Sequence, residues 1–322
     1  MTDLPDIAPD STGEIRPHGL LVIDKPPGPT SYDVIRILRS TCGISRKWKV
    51  GHLGTLDPFA SGVMVIALGQ AVKYAEYASR LTKIYRARLW LGDETDTLDP
   101  TGKVTASAPV PLDWRDRLED ARQRFLGETK QTPPIFSAKQ VDGKRAYQSA
   151  REGKAIELRP AKVKIHALDI TGCGDQWVDF ECTVSSGTYV RSLGRDLARD
   201  IGTVGHLVGL ERLAVGPLNH DISIPLQAFD IGGIDVLMHH LRPVQFILQH
   251  LPTLTLRPGA EFQTRLLQGK RLGPDDFLDG FPEIIEENAT FVIIDPSGSF
   301  LSMGRPSHHA HAIVPFKPWL PE

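Results

Sequence analysis

Cysteine is scarce in this sequence, with three residues among 322. Cys42, Cys173 and Cys182 form no C-x-x-C pair and show no other spacing typical of metal ligands. The scarcity argues against a disulfide-stabilised secreted protein. We therefore expect a reducing cytoplasmic environment and no structural zinc.

Long hydrophobic runs are also lacking, because no stretch approaches the roughly 18 apolar residues that a membrane-spanning helix needs. Residues 1–17 carry acids and prolines, where a signal peptide would have a basic start and an apolar stretch. We interpret residues 1–17 as a disordered tail and expect a cytoplasmic protein with no membrane partner.

The sequence has little net charge, −2 with a pI near 6.6. This balance argues against a protein that coats nucleic acid through charge alone. Two local stretches are nevertheless basic. Residues 139–164 hold eight Lys or Arg against three acids, a net of +5. The second stretch comprises Arg36, Arg39, Arg46, Lys47 and Lys49. Each is either solvated surface or a contact for an anionic partner.

The length favours two domains over one compact core. Apolar runs predict strands and amphipathic spacing predicts helices. The predicted strands are 19–24, 62–68, 84–91, 177–184 and 291–295, and the predicted helices are 31–43, 70–79, 115–126 and 189–200. Strands and helices mix without the regular βαβ spacing of a doubly wound sheet, which indicates an α+β protein.

The segment Gly51-His52-Leu53-Gly54-Thr55-Leu56-Asp57-Pro58 is the strongest candidate for chemistry. Its glycines permit a tight backbone, Pro58 restricts Asp57, and the following apolar strand holds the loop in place. Asp-Pro is also ordinary turn chemistry. Residues 97–100 repeat Thr-Leu-Asp-Pro in a polar loop without that context. We therefore take Asp57, and not Asp99, as the candidate catalytic carboxylate.

GHLGTLDPFASGV, with VIDKPPGPTS upstream, resembles the bacterial type of the TruB family of pseudouridine synthases. Segments at 84–102, 131–153, 185–198 and 210–218 resemble the later motifs of that family in order and spacing. The resemblance implies an α+β fold with a mixed, largely antiparallel central sheet, flanking helices and a small β-rich C-terminal PUA-like domain. The expected boundaries are 18–251 for the catalytic domain, about 131–164 for an RNA-binding insertion, and 252–322 for the C-terminal domain.

The implied activity is isomerisation of uridine 55 in the T-loop of tRNA, by base flipping and an aspartate nucleophile. Breaking the bond between C1′ and N1 and rejoining the base through C5 needs no redox change, so no cofactor is required. The T-arm of tRNA is the expected partner. We expect no obligatory protein partner, and nothing in the sequence requires more than a monomer.

The resemblance also assigns residues to roles. Asp57 matches the nucleophile, Arg191 its partner, and Tyr85 the tyrosine that stacks on the target base. The candidate substrate-binding residues are His52, Lys25 and Pro26 beside the loop, Leu213 in the uracil pocket, and Lys139, Lys144, Arg145 and Arg151 as phosphate contacts. The histidines at 308, 309 and 311 are interpreted as solvent-exposed, so no metal is assigned.

Two other functions stay open at this point. One is a guide-RNA-directed pseudouridine synthase, and the other is a non-catalytic protein that binds RNA or helps tRNA to fold. A nucleotide-cofactor enzyme is disfavoured because no G-x-G-x-x-G or Walker loop follows a predicted strand. Residues 275–287 hold six acids and no Lys or Arg, which argues against RNA contact by that segment.

Overall fold

We describe the protein from a computed structural model. The described residues are 16–136, 140–141, 144–145, 159–281, 286–307 and 311–319, and at 140–141 and 144–145 the description is of the backbone alone. Most of the predicted tail, residues 1–15, lies outside them. Within the described ranges, no helix is long and apolar enough to cross a membrane.

The described residues form strands and helices in mixed order. The strands are β1 (Gly19–Lys25), β2 (Val50–His52), β3 (Ser61–Leu68), β4 (Lys83–Leu91), β5 (Asp93–Thr95), β6 (Val104–Ser107), β7 (Gly127–Gln131), β8 (Gln140–Val141), β9 (Lys144–Arg145), β10 (Ala161–Cys173), β11 (Trp177–Val184), β12 (Gly205–Val215), β13 (Leu218–Asn219), β14 (Ile224–Pro225), β15 (Thr253–Thr255), β16 (Phe291–Ile294), β17 (Phe300–Pro306) and β18 (Ile313–Phe316). The α-helices are α1 (Ser31–Thr41), α2 (Ala75–Ala78), α3 (Trp114–Phe125), α4 (Val190–Asp200), α5 (Ala228–His240) and α6 (Ala260–Leu267). Short 3₁₀ helices span Gly69–Tyr74, His220–Ile222, Val244–Ile247 and Pro274–Asp276.

A mixed central sheet organises most of the chain. Its strands lie in the order β14-β1-β3-β12-β4-β11-β10-β7, with β2 paired to β3 and β13 paired to β12. The pairings of β1 with β14 and of β3 with β12 are parallel, and the others are antiparallel. The predicted α+β fold with a mixed, largely antiparallel sheet is therefore confirmed.

Strands β1 and β3 are buried on both faces. On one face, Leu21 and Ile23 pack against Val34 and Leu38 of α1, and α5 adds Phe229. Thr30 caps the start of helix α1: its side chain accepts the Asp33 N–H while the Asp33 carboxylate accepts the Thr30 N–H. This reciprocal cap determines where the chain enters the helix.

Strands β4, β11 and β12 have one covered face and one exposed face. On the covered face, Leu89 and Phe180 pack against Leu193 and Leu197 of α4, and α3 adds Trp114. The exposed face carries ion pairs between strands. Arg86 pairs with Glu181 at 2.7 Å, and Arg88 pairs with Asp179 at 2.7 Å. Because side chains alternate along a strand, Tyr85 lies on the covered face.

The residues from 252 onward include a separate four-stranded sheet with the order β15-β16-β17-β18. This result confirms the predicted small β-rich region. Val292, Phe300 and Met303 of that sheet share a core with Tyr74 and with β1 and β3, and the Tyr74 hydroxyl donates to the Lys317 carbonyl at 2.6 Å. The domain boundaries and the PUA-like assignment stay predictions.

Candidate active site

The segment that contains Asp57 is a loop between β2 and β3, held at several points. The Leu53 N–H donates to the Val65 carbonyl at 2.8 Å. The Ser31 hydroxyl accepts the Leu56 N–H at 2.9 Å and donates to the Leu56 carbonyl at 3.0 Å. Immediately after Leu56, the Asp57 carbonyl accepts the Ala60 N–H at 3.1 Å. The Asp57 side chain therefore leaves a backbone that is anchored on both sides.

Arg212 lies beneath this loop and was not singled out from the sequence. Its guanidinium donates to the carbonyls of Val63 at 2.6 Å, Thr55 at 3.2 Å and Gly54 at 3.2 Å, and its exposure is 1 %. A Cβ at Gly62, where φ is +100°, would lie 2.3 Å from the Arg212 carbonyl oxygen. Strands β3 and β12 therefore approach so closely that this position requires glycine.

Lys25 holds the loop from the other side. Its fully buried ammonium donates to the carbonyls of Pro26 at 2.9 Å, Pro29 at 3.0 Å and Pro58 at 3.4 Å. Burial lowers the pKa of Lys25 to about 8, against the opposing effect of the Asp57 charge. A buried ammonium needs such hydrogen-bond partners, and these contacts tie the residues before α1 to the Asp57 loop. The substrate-binding roles of Lys25 and Pro26 stay predictions.

Arg191 and Asp57 form a two-point ion pair. The Arg191 Nε lies 2.9 Å from Asp57 Oδ2, and Nη2 donates to Oδ1 at 3.2 Å. The Arg191 side chain is 6 % exposed and that of Asp57 is 31 % exposed. Arg191 lies in the first turn of α4, where the helix dipole disfavours a cation. The carboxylate partner offsets that cost and leaves part of Asp57 open to solvent.

Asp99 is a second carboxylate on the same arginine, although the sequence comparison of the two Asp-Pro segments set it aside. Arg191 Nη1 donates to Asp99 Oδ2 at 3.2 Å. The Thr97 hydroxyl and the Thr101 N–H donate to Asp99 Oδ1 at 2.8 Å and 2.9 Å. The Asp99 side chain is 7 % exposed, so it lies enclosed behind Arg191.

The backbone around Arg191 completes its contacts. Nη1 donates to the Thr97 carbonyl at 2.7 Å, and Nη2 donates to the Phe136 carbonyl at 3.1 Å. Leu98 has a φ of +60°, a left-handed conformation that costs roughly 1 to 3 kcal/mol for a residue other than glycine. This local strain accompanies a turn that directs both the Thr97 carbonyl and the Asp99 carboxylate at Arg191.

The groups around Asp57 shift its pKa in opposite directions. Burial raises the pKa of Asp57, the Arg191 charge and hydrogen bond lower it, and the Asp99 charge raises it again. Arg212 adds a smaller lowering effect, and the net direction of the Asp57 pKa is upward. The site therefore contains an ionisable carboxylate whose protonation is sensitive to its immediate neighbours.

Tyr85 and Leu213 lie on neighbouring central strands. Tyr85 of β4 is half-buried, pairs with Arg212 of β12, and packs against the core cluster that includes Leu56. The pairing of β4 with β12 shifts between Arg212 and Ala214, which places Leu213 in a β-bulge opposite Tyr85. His52 is half-buried at the end of β2 and precedes the Asp57 loop. The catalytic and binding roles of these residues stay predictions.

Part of the predicted phosphate-contact set falls outside the described residues. Lys139 and Arg151 lie outside them, and Lys144 and Arg145 form β9, paired with β8, without described side chains. The predicted insertion begins beside α4, where Gln131 exchanges hydrogen bonds of 2.8 Å and 3.1 Å with the Tyr189 backbone. Among the described residues, no group of three or more His, Cys, Asp or Glu could hold a metal ion.

Comparison with known proteins identifies the family. Residues 39–190 match the model of the TruB family pseudouridylate synthases, N-terminal domain. A relative named tRNA pseudouridine synthase B from Rhodospirillum rubrum is 42% identical over 79% of this chain and 81% of its own length. The chain belongs to the TruB family. A relative of the same name from Aquifex aeolicus is 33% identical over 89% of this chain and 98% of its own length.

Two solved structures share the fold of most of the chain. A Cbf5–Nop10–Gar1 complex contains a chain with a TM-score of 0.70 and 22% identity, covering 94% of this chain and 85% of that one. An H/ACA ribonucleoprotein bound to a substrate RNA with 2′-deoxyuridine gives a TM-score of 0.69 at 22% identity, covering 94% and 86%. At this identity the likeness shows the fold alone.

Proposed function

We propose that this TruB-family enzyme is a tRNA pseudouridine synthase that isomerises uridine 55 of the T-loop, with Asp57 as the nucleophile. The observation that carries the proposal is the two-point pair between Arg191 and Asp57, in which the carboxylate keeps 31 % of its side chain exposed. The relatives named tRNA pseudouridine synthase B support tRNA as the substrate.

The reaction needs a carboxylate and no added reagent. The bond between C1′ and N1 breaks, the uracil turns, and a bond forms between C1′ and C5. The proton on C5 is lost to solvent and N1 gains one, so no atom or electron is gained or lost. An ionised carboxylate attacks without a partner base, and Arg191 stabilises that ionised form. Attack at C1′, addition to the ring and proton abstraction leading to a glycal remain alternative first steps for Asp57.

The substrate base must leave its stack to reach Asp57, which costs a few kcal/mol. We propose that Tyr85 stacks on the extruded uracil, an interaction worth roughly 1 to 3 kcal/mol. We also propose that Leu213 lines the uracil pocket and that His52 occupies the site of the flipped base or contacts the RNA. Lys139, Lys144, Arg145 and Arg151 of the insertion are proposed phosphate contacts, in a catalytic domain spanning residues 18–251. We propose that the enzyme acts in the cytoplasm as a monomer without a protein partner.

The test is tritium release from a [5-³H]uridine-labelled tRNA transcript by the purified chain alone. A transcript with cytidine in place of uridine 55 is the matched control. Release from the first transcript and none from the second is the expected result. No release from either, with tRNA binding intact, would overturn the proposal in favour of a guide-dependent or non-catalytic RNA-binding protein.

A further inference from the structure

The second basic stretch, which runs from Arg36 in α1 to Lys49 before β2, contains three kinds of side chain. Arg36 pairs with Asp33 at 3.0 Å. Arg39 turns inward. Arg46, Lys47 and Lys49 are exposed, and none of the three has an ion pair with an acidic group in the described part of the chain. We call residues 42–49 the basic turn.

The backbone of the basic turn is held firmly. The Arg39 guanidinium donates to the Ser45 carbonyl and, at 2.7 Å, to the Trp48 carbonyl. The Trp48 indole donates to the Pro17 carbonyl at 3.0 Å, and the Gly69 N–H donates to the Lys49 carbonyl at 2.8 Å. The exposed cations therefore project from a fixed backbone, which reduces the entropy lost when they bind a ligand.

The positive charge of this turn contrasts with the exposed arginines elsewhere. Arg86, Arg88 and Arg117 each pair with a carboxylate at 2.7 Å, so their surfaces are locally neutral. Among the residues that the structure describes, no carboxylate pairs with the three cations of the basic turn. In a chain with a formal net charge of −2, their positive charge is local and not part of a general positive field.

The basic turn is continuous with the candidate active site. Lys49 directly precedes β2, and β2 ends at His52, before the loop that carries Asp57. The Lys49 carbonyl accepts the Gly69 N–H just after the end of β3, whereas the Asp57 carbonyl accepts the Ala60 N–H just before its start. Because β3 has eight residues at about 3.3 Å each, the turn and the Asp57 loop lie roughly 26 Å apart, at opposite ends of that strand. An RNA strand must therefore extend about eight steps of 3.4 Å beyond the target nucleotide to place a phosphate at the turn.

We propose that Arg46, Lys47 and Lys49 form a phosphate-binding surface for the bound RNA, about eight nucleotide steps away from the target nucleotide. This inference rests on the proposed function in one respect, that the ligand is RNA. It adds a contact surface separate from the insertion. Neutralising RNA phosphates at this surface offsets part of the free-energy cost of extruding the base. Such contacts do not depend on the RNA sequence.

The test compares two full-length triple variants that remove the same charge. Arg46→Gln/Lys47→Gln/Lys49→Gln removes the unpaired cations, and Arg86→Gln/Arg88→Gln/Arg117→Gln removes paired ones. The dissociation constant of the unmodified tRNA transcript is measured against KCl concentration. Each lost phosphate contact reduces the slope of log K against log salt by about 0.7 to 0.9. The basic-turn variant should lose about 2 from the slope, and the control should match the parent.

Activity and stability measurements complete the test. We expect a raised KM with little change in kcat for the basic-turn variant, and a melting temperature close to that of the parent. An unchanged salt slope in this variant, or an equal change in both variants, overturns the inference. If the parent binds tRNA but releases no tritium, the proposed catalysis is contradicted. The salt slopes of the two variants still decide whether the basic turn binds phosphate.

Discussion

Two segments of this chain share the tetrapeptide Thr-Leu-Asp-Pro, and both place their aspartate on Arg191. Asp57 makes a two-point contact and keeps 31 % of its side chain exposed. Asp99 accepts hydrogen bonds from Thr97 and Thr101 and is 7 % exposed. Identical local sequences therefore give one carboxylate that is open to a substrate and one that is enclosed, because the surrounding strands and hydrogen-bond partners differ.

The largest expected effect separates the two carboxylates. Asp57→Asn keeps the size of the side chain and removes its charge, so turnover should fall by at least about a thousandfold, as for the loss of a nucleophile elsewhere. Tritium release measures the rate, and filter binding should give a tRNA affinity close to that of the parent. Turnover near the parental rate in this variant would exclude Asp57 as the nucleophile.

The next prediction concerns Arg191, the ion-pair partner that the two aspartates share. Arg191→Lys keeps a positive charge but loses the two-point geometry and the contact to a second carboxylate. Losing about two charge-assisted hydrogen bonds, roughly 3 kcal/mol, should lower kcat about a hundredfold. Single-turnover tritium release checks this value. A lysine variant with parental kcat would mean that charge alone is sufficient at this position.

A smaller effect is expected at the enclosed carboxylate. Asp99→Asn removes one charged partner of Arg191 while Asp57 still holds the guanidinium. One such hydrogen bond is worth about 1.5 to 3 kcal/mol, so kcat should fall between about tenfold and a hundredfold, far less than for Asp57→Asn. Parallel assays of the two asparagine variants make the comparison. Equal losses would show that the open and enclosed carboxylates cannot be assigned different roles on the basis of exposure.

The smallest effect is a shift in pH dependence. In the proposed mechanism the ionised Asp57 is the nucleophile, so activity should be lost as pH falls through the Asp57 pKa, which is raised above its usual value. The Asp99 charge contributes to that increase in the Asp57 pKa. Asp99→Asn should therefore move the acidic limb of kcat/KM to lower pH. A limb that stays in place would contradict electrostatic coupling between the two carboxylates.

The sequence predicted the elements whose patterns are local. The Thr30 cap, the apolar runs of β1 and β3, and α4 lie within a few residues of their predicted positions. Strands β10 and β12 were not predicted, because register shifts interrupt the alternation of their side chains. Helix α5 is kinked at Gly233, which obscures its periodicity. The predicted helix at 70–79 is 3₁₀ over Gly69–Tyr74.

The candidate site was partly predictable for a similar reason. Asp57 and Arg191 lie in distinctive motifs, and the structure brings them together. Asp99 was set aside because its loop lacks the glycines and the apolar strand that flank Asp57. Nothing near Asp99 in sequence indicates its arginine partner, which is 92 residues away. Arg212 gave a signal that could have been used: on an extended strand its same-face neighbours, Leu210 and Ala214, are apolar, which indicates a buried cation with carbonyl partners. The proposed RNA contacts of the insertion remain predictions.

The position of β12 has a consequence for how the chain folds during synthesis. Strands β3 and β4 are neighbours in sequence, yet β12 lies between them and is complete at Val215. At about 5 to 20 residues per second, the ribosome makes β12 roughly 6 to 25 seconds after β4. During that time β3 and β4 each have an unpaired edge, the kind of surface that promotes aggregation. A chaperone that shields nascent strands should therefore bind the chain until β12 has emerged.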